Sequence, residues 1–208
     1  TAFSRHEADI LVGTQLVSKG LDFASVTVVG VIDADTEQAY PSFNSSERLY
    51  QLLSQVAGRS GRGDKAGKVF IQTRQSNNPA IQFAKMHDHK SFARQEMAFR
   101  KELNYPPYSR LVQFVFKGKE ETRVRTAAQL MKQLVGRMLP TLEILGPAPS
   151  AISWMNKNYF WEMSIKIDPT KGAKYIEGVL LKVLDGYENS RVSGQKQVRV
   201  NINVDANR

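Results

Sequence analysis

The alternation of apolar and polar positions divides this chain into short strand-like runs and helical stripes. Residues 9–14, Asp9-Ile10-Leu11-Val12-Gly13-Thr14, read as a short buried-type strand ending in small and hydroxyl residues. Residues 26–32 are nearly all apolar, the pattern of a strand covered on both faces. Leu49, Leu52, Leu53 and Val56 then fall at i, i+3, i+4 and i+7, the buried face of a helix capped by Asn44 or Ser45, with Glu47 in its first turn. A third strand over 68–73 completes an α/β alternation. Asn78-Pro79 opens a charged helical region over 80–103 with Phe92, Phe99 and Leu103 along one side. Tyr105-Pro106-Pro107-Tyr108 cannot continue a helix, which places a boundary there and gives domains 1–104 and 105–208.

The second half reads strand, helix, strand, strand, helix, strand. Val112, Phe114 and Phe116 share one face of a strand over 110–117, and Val124, Ala127, Ala128, Met131, Leu134, Val135 and Met138 one side of a helix over 120–139. A short strand near 143–145 precedes the turn-prone Gly146-Pro147-Ala148-Pro149. Trp161, Met163, Ile165 and Ile167 alternate with polar residues, a helix over 172–187 buries Ile176, Val179, Leu180, Val183 and Leu184, and Val198, Val200, Ile202 and Val204 alternate at the end. The expected arrangement is βαββαβ, ferredoxin-like, with two helices on one sheet face and a polar face on the other.

Charge sharpens this division. Residues 1–75 hold eight Lys/Arg against eight Asp/Glu, and residues 76–208 hold twenty-one against twelve, so the second part carries the whole net charge of +9. A basic part joined to a neutral one points to a polyanion, nucleic acid first, met by the second part. The absence of cysteine excludes a disulfide framework and thiolate metal ligands within this chain. The longest apolar run, 26–32, is far too short to span a bilayer, and no basic-apolar-small leader opens the chain, so the expectation is a soluble intracellular protein without a membrane partner.

The candidate chemistry centres on Gln55-Val56-Ala57-Gly58-Arg59-Ser60-Gly61-Arg62. Each arginine offers a planar, permanently charged fork that matches phosphate oxygens, and Gly58, Gly61 and Gly63 are expected to let the backbone turn both forks toward one point. A basic surface turn is the plain alternative. The spacing of Gly13 to Lys19 superficially suggests a phosphate loop but lacks glycine before the lysine and Ser or Thr after it, so no triphosphate cradle is expected. Asp33 and Asp35, at the end of the second strand, suit a metal or a base, and equally suit the backbone bonding that ends strands. His87-Asp88-His89 has no third ligand nearby in sequence, so no metal site is expected.

Residues 13–23, Gly13-Thr14-Gln15-Leu16-Val17-Ser18-Lys19-Gly20-Leu21-Asp22-Phe23, resemble motif V of superfamily 2 helicases, and Gln55 to Arg62 resemble motif VI. With Glu47-Arg48, Val69-Phe70-Ile71-Gln72-Thr73, His87-Asp88 and Tyr105-Pro106-Pro107-Tyr108, the chain is similar to the primosomal protein N′ (PriA) family over roughly half its length. That resemblance implies part of a RecA-like helicase lobe 2 followed by a ferredoxin-like carboxyl-terminal domain. It implies a bacterial, cytoplasmic, ATP-driven 3′-to-5′ DNA helicase that recognises stalled forks and restarts replication.

Carried onto this chain, Thr14 would touch the DNA backbone, Gly20 and Asp22 would line the nucleotide, and Gln55 would link the two. Arg59 and Arg62 would reach the γ-phosphate, with Arg62 as arginine finger. The carboxyl-terminal domain would contact branched or single-stranded DNA, single-strand-DNA-binding protein and other primosome proteins. Trp154-Met155-Asn156-Lys157-Asn158-Tyr159-Phe160-Trp161 mixes rings with a lysine as a stacking surface does, with Lys157 on DNA and Trp161 expected in the core.

Full-length members carry upstream a first lobe with the phosphate loop and Mg²⁺ carboxylates, and cysteine pairs for zinc. None is in this sequence, so the expectation is a carboxyl-terminal fragment, inactive alone, whose ATP and Mg²⁺ are shared with a missing lobe. Another superfamily 2 repair or branch-migration translocase, or a non-enzymatic nucleic-acid-binding module, are the alternatives, separated by what lies upstream of Thr1.

Overall fold

A computed structural model describes residues 2–5, 7–14, 26–39, 42–58, 67–190 and 197–205. The chain divides into two units, Thr1–Met97 and Ala98–Arg208. The described residues form a mixed α/β structure with one parallel and one antiparallel sheet.

The first unit contains β1 (Val28–Val31), α1 (Ser45–Ala57), β2 (Lys68–Ile71), α2 (Pro79–Lys85) and the start of α3 (His89–Glu102). β1 and β2 pair in parallel, Val28 opposite Lys68 and Val31 opposite Ile71, with α1 in the crossover between them. The apolar stripe of α1 buries Leu49, Leu53 and Val56, while Leu52 is only half-buried. Leu49 and Leu53 pack with Ala34, Ile81, Ala84 and Phe92, and Tyr50 stacks on Phe92 with centroids 4.2 Å apart. Asn44 occupies the cap position of α1 without bonding the helix through its side chain. Ser45 Oγ instead donates to Ser42 O at 2.9 Å and accepts from Ser42 N at 3.0 Å.

Three expectations for this unit fail. Residues 9–14 form no strand, and Ile10 and Val12 are exposed. A buried-type strand needs backbone partners, and among the described residues the parallel sheet consists of β1 and β2. β1 itself is not covered on both faces: Val28 is 57% exposed, as is Phe70 at 61% on its partner strand. The helical region over 80–103 breaks at Met86–Asp88, where His87 takes a positive φ of 53° and Asp88 Oδ1 accepts the Ser91 N–H at 3.0 Å. That cap starts a new helix, in which Phe92 is buried, whereas Phe99 and Leu103 further along are exposed rather than forming one apolar side with it. α2 starts as expected, with Asn78 Oδ1 accepting the Ala80 N–H at 2.9 Å and Pro79 at its first position.

The second unit runs β3 (Arg110–Gly118), α4 (Glu121–Met138), β4 (Glu143–Met155), β5 (Asn158–Ile167), α5 (Ala173–Ser190) and β6 (Arg199–Val204). The sheet order is β4-β5-β3-β6, every neighbour antiparallel. Val112, Phe114 and Phe116 of β3 and Met163, Ile165 and Ile167 of β5 form one core with Val124, Ala127, Ala128, Met131 and Val135 of α4. Ile176, Val179, Val183 and Tyr187 of α5 complete it. Trp161 packs partly buried against this core, as its place in the alternation predicts. Arg110 closes one edge by pairing with Asp205 at 2.7 Å, whose other oxygen accepts the Leu111 N–H at 2.9 Å.

The strand expected near 143–145 does not stop at Gly146-Pro147-Ala148-Pro149. β4 continues through these residues to Met155, with register shifts between Leu145 and Ala148 and between Pro149 and Trp154. As an edge strand it tolerates prolines that lack an N–H, and the irregularities absorb them. Gly146 sits at φ 84°, where an added Cβ would lie 2.9 Å from Glu162 O. Gly146→Ala should therefore lower stability by about 1–3 kcal/mol from backbone strain alone. An unchanged urea midpoint would show that β4 rearranges freely at this position.

Candidate nucleotide and nucleic-acid interface

Of the residues assigned to nucleotide and DNA chemistry in the first unit, Gln55 and Thr14 are described, whereas Gly20, Asp22, Arg59 and Arg62 lie outside the described residues. Gln55 is exposed on α1, opposite the face that buries Leu49 and Leu53 at 1% exposure each. The side chain thus stands on a helix anchored by close-packed apolar residues, which limits its movement. Gly58 follows as the C-cap with φ −71°, its N–H bonded to Ser54 O at 3.2 Å. An ordinary helical φ demands no glycine, so the turning freedom expected of Gly58 is not used there, and Gly61 and Gly63 lie outside the described residues. Thr14 is exposed and outside regular secondary structure.

The two carboxylates after β1 have structural partners. Asp35 Oδ1 accepts the Thr73 hydroxyl at 2.6 Å and Oδ2 the Arg74 N–H at 2.7 Å, tying the chain after β1 to the chain after β2. The hydrogen bond from Thr73, then that from the Arg74 backbone, hold the Asp35 carboxyl below its ordinary value of 3.8. Asp33, at φ 58°, accepts the Thr36 hydroxyl at 2.9 Å. Thr73 and Arg74 are distant in sequence from Asp35, and no local signal pairs them. Because the folded value is depressed, the stabilisation exists above pH 3.8 and disappears as pH falls through the lower folded value. Asp35→Asn should therefore be less stable than the parent at pH 7, and the difference should vanish in strong acid. Denaturation at both pH values checks this, and a pH-independent difference would assign the loss to packing.

Among the described residues no group of three or more His, Asp or Glu could hold a metal ion. Asp88 is occupied as the cap of α3, its carboxyl lowered first by the Ser91 N–H and then by the Ser91 hydroxyl. The His89 ring lies 5.7 Å from that of Tyr50. Among the described residues no helix is long and apolar enough to cross a membrane.

In the second unit Lys157 stands at the tip of the β4–β5 hairpin. Asn156 and Lys157 have φ of 51° and 59°, the two central positions of a primed two-residue turn whose twist suits a hairpin. Folding 154–161 into a hairpin separates its rings. Tyr159 and Trp161 pack toward the helices, Trp154 is 59% exposed opposite Tyr159, and Phe160 faces the other side of the sheet. The stretch is therefore not one stacking surface, as its composition suggests. Its neighbours on the open face come from elsewhere: Phe160 lies opposite Lys117, which lies opposite Arg199. Sequence reading missed Lys117 and Arg199, because the register of three strands brings them together and no local motif marks them.

A family model for the primosomal protein N C-terminal domain matches residues 101–207. The chain is 44% identical over 165 residues to a replication restart protein PriA of Synechocystis sp., covering 79% of this chain and 20% of that protein. It is 39% identical over 205 residues to replication restart protein PriA of Bacillus subtilis, covering 98% and 25%. To that of Treponema pallidum it is 36% identical over 165 residues, covering 79% and 25%. The chain thus spans a fifth to a quarter of the length of these relatives. A likeness that extends through both units, with a domain match over the second, makes this chain a member of the PriA family of replication restart proteins.

Proposed function

We propose that the first unit is part of a RecA-like helicase lobe 2 and the second a ferredoxin-like module that binds DNA and partners. Both belong to an ATP-dependent 3′-to-5′ DNA helicase that restarts replication at stalled forks in the bacterial cytoplasm. The observation that carries this is the 39% identity to a replication restart protein over 98% of the chain, both motif-bearing segments included. In this reading Thr14 contacts the DNA backbone, Gly20 and Asp22 line the nucleotide, and Gln55 links the two sites. Arg59 and Arg62 meet the γ-phosphate, with Arg62 as the finger, and Lys157 meets DNA from the hairpin tip. Single-strand-DNA-binding protein and other primosome proteins are the partners.

The residues present suit a nucleotide shared between lobes. The anchored helix α1 is followed in sequence by two arginines, whose guanidinium groups suit the negative charge that develops on phosphoryl oxygens. ATP would supply the phosphoryl group and the negative charge that these arginines, together with Mg²⁺, would offset. In this reading zinc is held by cysteine pairs of a longer family member and not by this chain, which has no cysteine. The test compares ATP hydrolysis on forked DNA by the intact, longer protein and by residues 1–208. The intact protein should hydrolyse ATP and the 208-residue chain should not; DNA-stimulated hydrolysis by the latter would sink the shared-site reading.

A further inference from the structure

The sheet of the second unit has one face under α4 and α5 and a second whose two ends differ. At one end Lys166 is buried: its Nζ donates to Leu103 O and to Glu143 Oε1, both at 2.7 Å, and lies 4.5 Å from the centre of the Tyr105 ring. That end is closed by residues 103–105. At the other end Phe160 of β5, Lys117 of β3 and Arg199 of β6 stand directly opposite one another on three adjacent strands. The row spans two inter-strand steps, about 10 Å. Phe160 and Lys117 are half-buried and Arg199 is exposed. Among the described residues neither cation forms an ion pair; Lys117 Nζ lies 5.5 Å from the centre of the Phe160 ring. The carboxylate in the next row, Glu162, accepts from Gln113 Nε2 at 3.1 Å.

We infer that the row Phe160–Lys117–Arg199 is a binding platform for single-stranded nucleic acid, with one base stacked on Phe160 and flanking phosphates met by Lys117 and Arg199. This rests on the reading of the second unit as a DNA-binding module. Charge complementarity selects the occupant: two cations without an ion pair among the described residues follow one ring along the row, in a unit whose Lys and Arg outnumber its Asp and Glu. An acidic peptide would satisfy the cations and leave the ring without a planar partner. A base stacked on the accessible part of the Phe160 ring gains more than a single ammonium there does, so it displaces Lys117 from the ring, and the freed ammonium turns to phosphate. Lys157 at the hairpin tip and Lys119 just beyond β3 extend the positive field around the row.

The experiment titrates residues 1–208 into a fluorescein-labelled oligo-dT, an abasic strand of equal length and a poly-glutamate peptide, across about 50 to 200 mM salt. Phe160→Ala should weaken oligo-dT binding roughly 5- to 150-fold, leave the salt slope unchanged, and have no effect on the abasic strand. Phe160→Tyr should restore binding, which separates stacking from a folding defect. Lys117→Gln/Arg199→Gln should lower the slope of log K against log salt by about 1.4, at about 0.7 per phosphate on a single strand. Parental affinity and slope in both variants would overturn the platform while leaving the module's DNA binding intact. Equal weakening on abasic and normal strands, or competition by poly-glutamate equal to that of oligo-dT, would overturn the stacked base. No binding of the parent chain to oligo-dT at low salt would overturn the DNA-binding reading itself and the platform with it.

Discussion

Arg62→Ala in the intact, longer protein is expected to reduce DNA-stimulated ATP hydrolysis by about 10³- to 10⁵-fold while changing DNA affinity little. The size of the effect follows from where charge develops. In phosphoryl transfer the negative charge spreads over the γ-phosphoryl oxygens, and a guanidinium already in place offsets it without the reorganisation water would need. Lysine is expected not to rescue the variant, since a point charge on a flexible stem does not reproduce a planar fork. The asymmetry between rate and affinity identifies the role. Steady-state hydrolysis and fork binding, measured on the same preparation, distinguish it from a DNA contact: equal loss of both would move Arg62 to the DNA side. The helix that precedes this arginine in sequence is held by Leu49 and Leu53, each 1% exposed.

Phe114→Ala should cost about 3–5 kcal/mol, a large part of the roughly 5–15 kcal/mol by which a domain of this kind exceeds its unfolded state. Phe114 is fully buried on the central strand β3, between Met163 of β5 and Ile202 of β6, under the helices of the same core. No neighbouring element is free to collapse into the void, because strands flank it on both sides and the backbone ladder holds their spacing. The chain's two tryptophans, Trp154 and Trp161, both lie in this unit, so their fluorescence during urea denaturation reports its unfolding separately from the first unit. Phe114→Leu should cost much less by retaining most of the volume. A loss under about 1 kcal/mol for the alanine variant would mean the core repacks.

The readable elements were those whose signal is local and repeated. The stripe of α1 and the two-residue alternation of β3 and β5 each state which side is buried, and the structure packs those sides into the cores. The start of α2 at Asn78 and Pro79 is likewise local, while in the last alternation Val198 is buried, Val200 and Ile202 partly so, and Val204 is exposed. The reading went astray where an element depends on what lies beside it. Residues 10–14 have the composition of an inner strand and no strand partner among the described residues. Gly146 to Pro149 have turn composition, yet an edge position lets a strand pass through them.

What the sequence alone determined is the family, the two-part organisation of charge, the apolar stripe of the helix that bears Gln55, and the order of strands and helices in the second unit. These rest on contiguous motifs and on periods of 2 and 3.6 residues, which a linear chain displays in full. Tertiary structure alone decided that Asp35 is bound by Thr73 and Arg74 and that the rings of 154–161 divide between two faces. It alone set Phe160 beside Lys117 and Arg199. Strand register makes Lys117 the neighbour of residues 43 and 82 positions away, and a register shifted by one would turn those side chains to the other face.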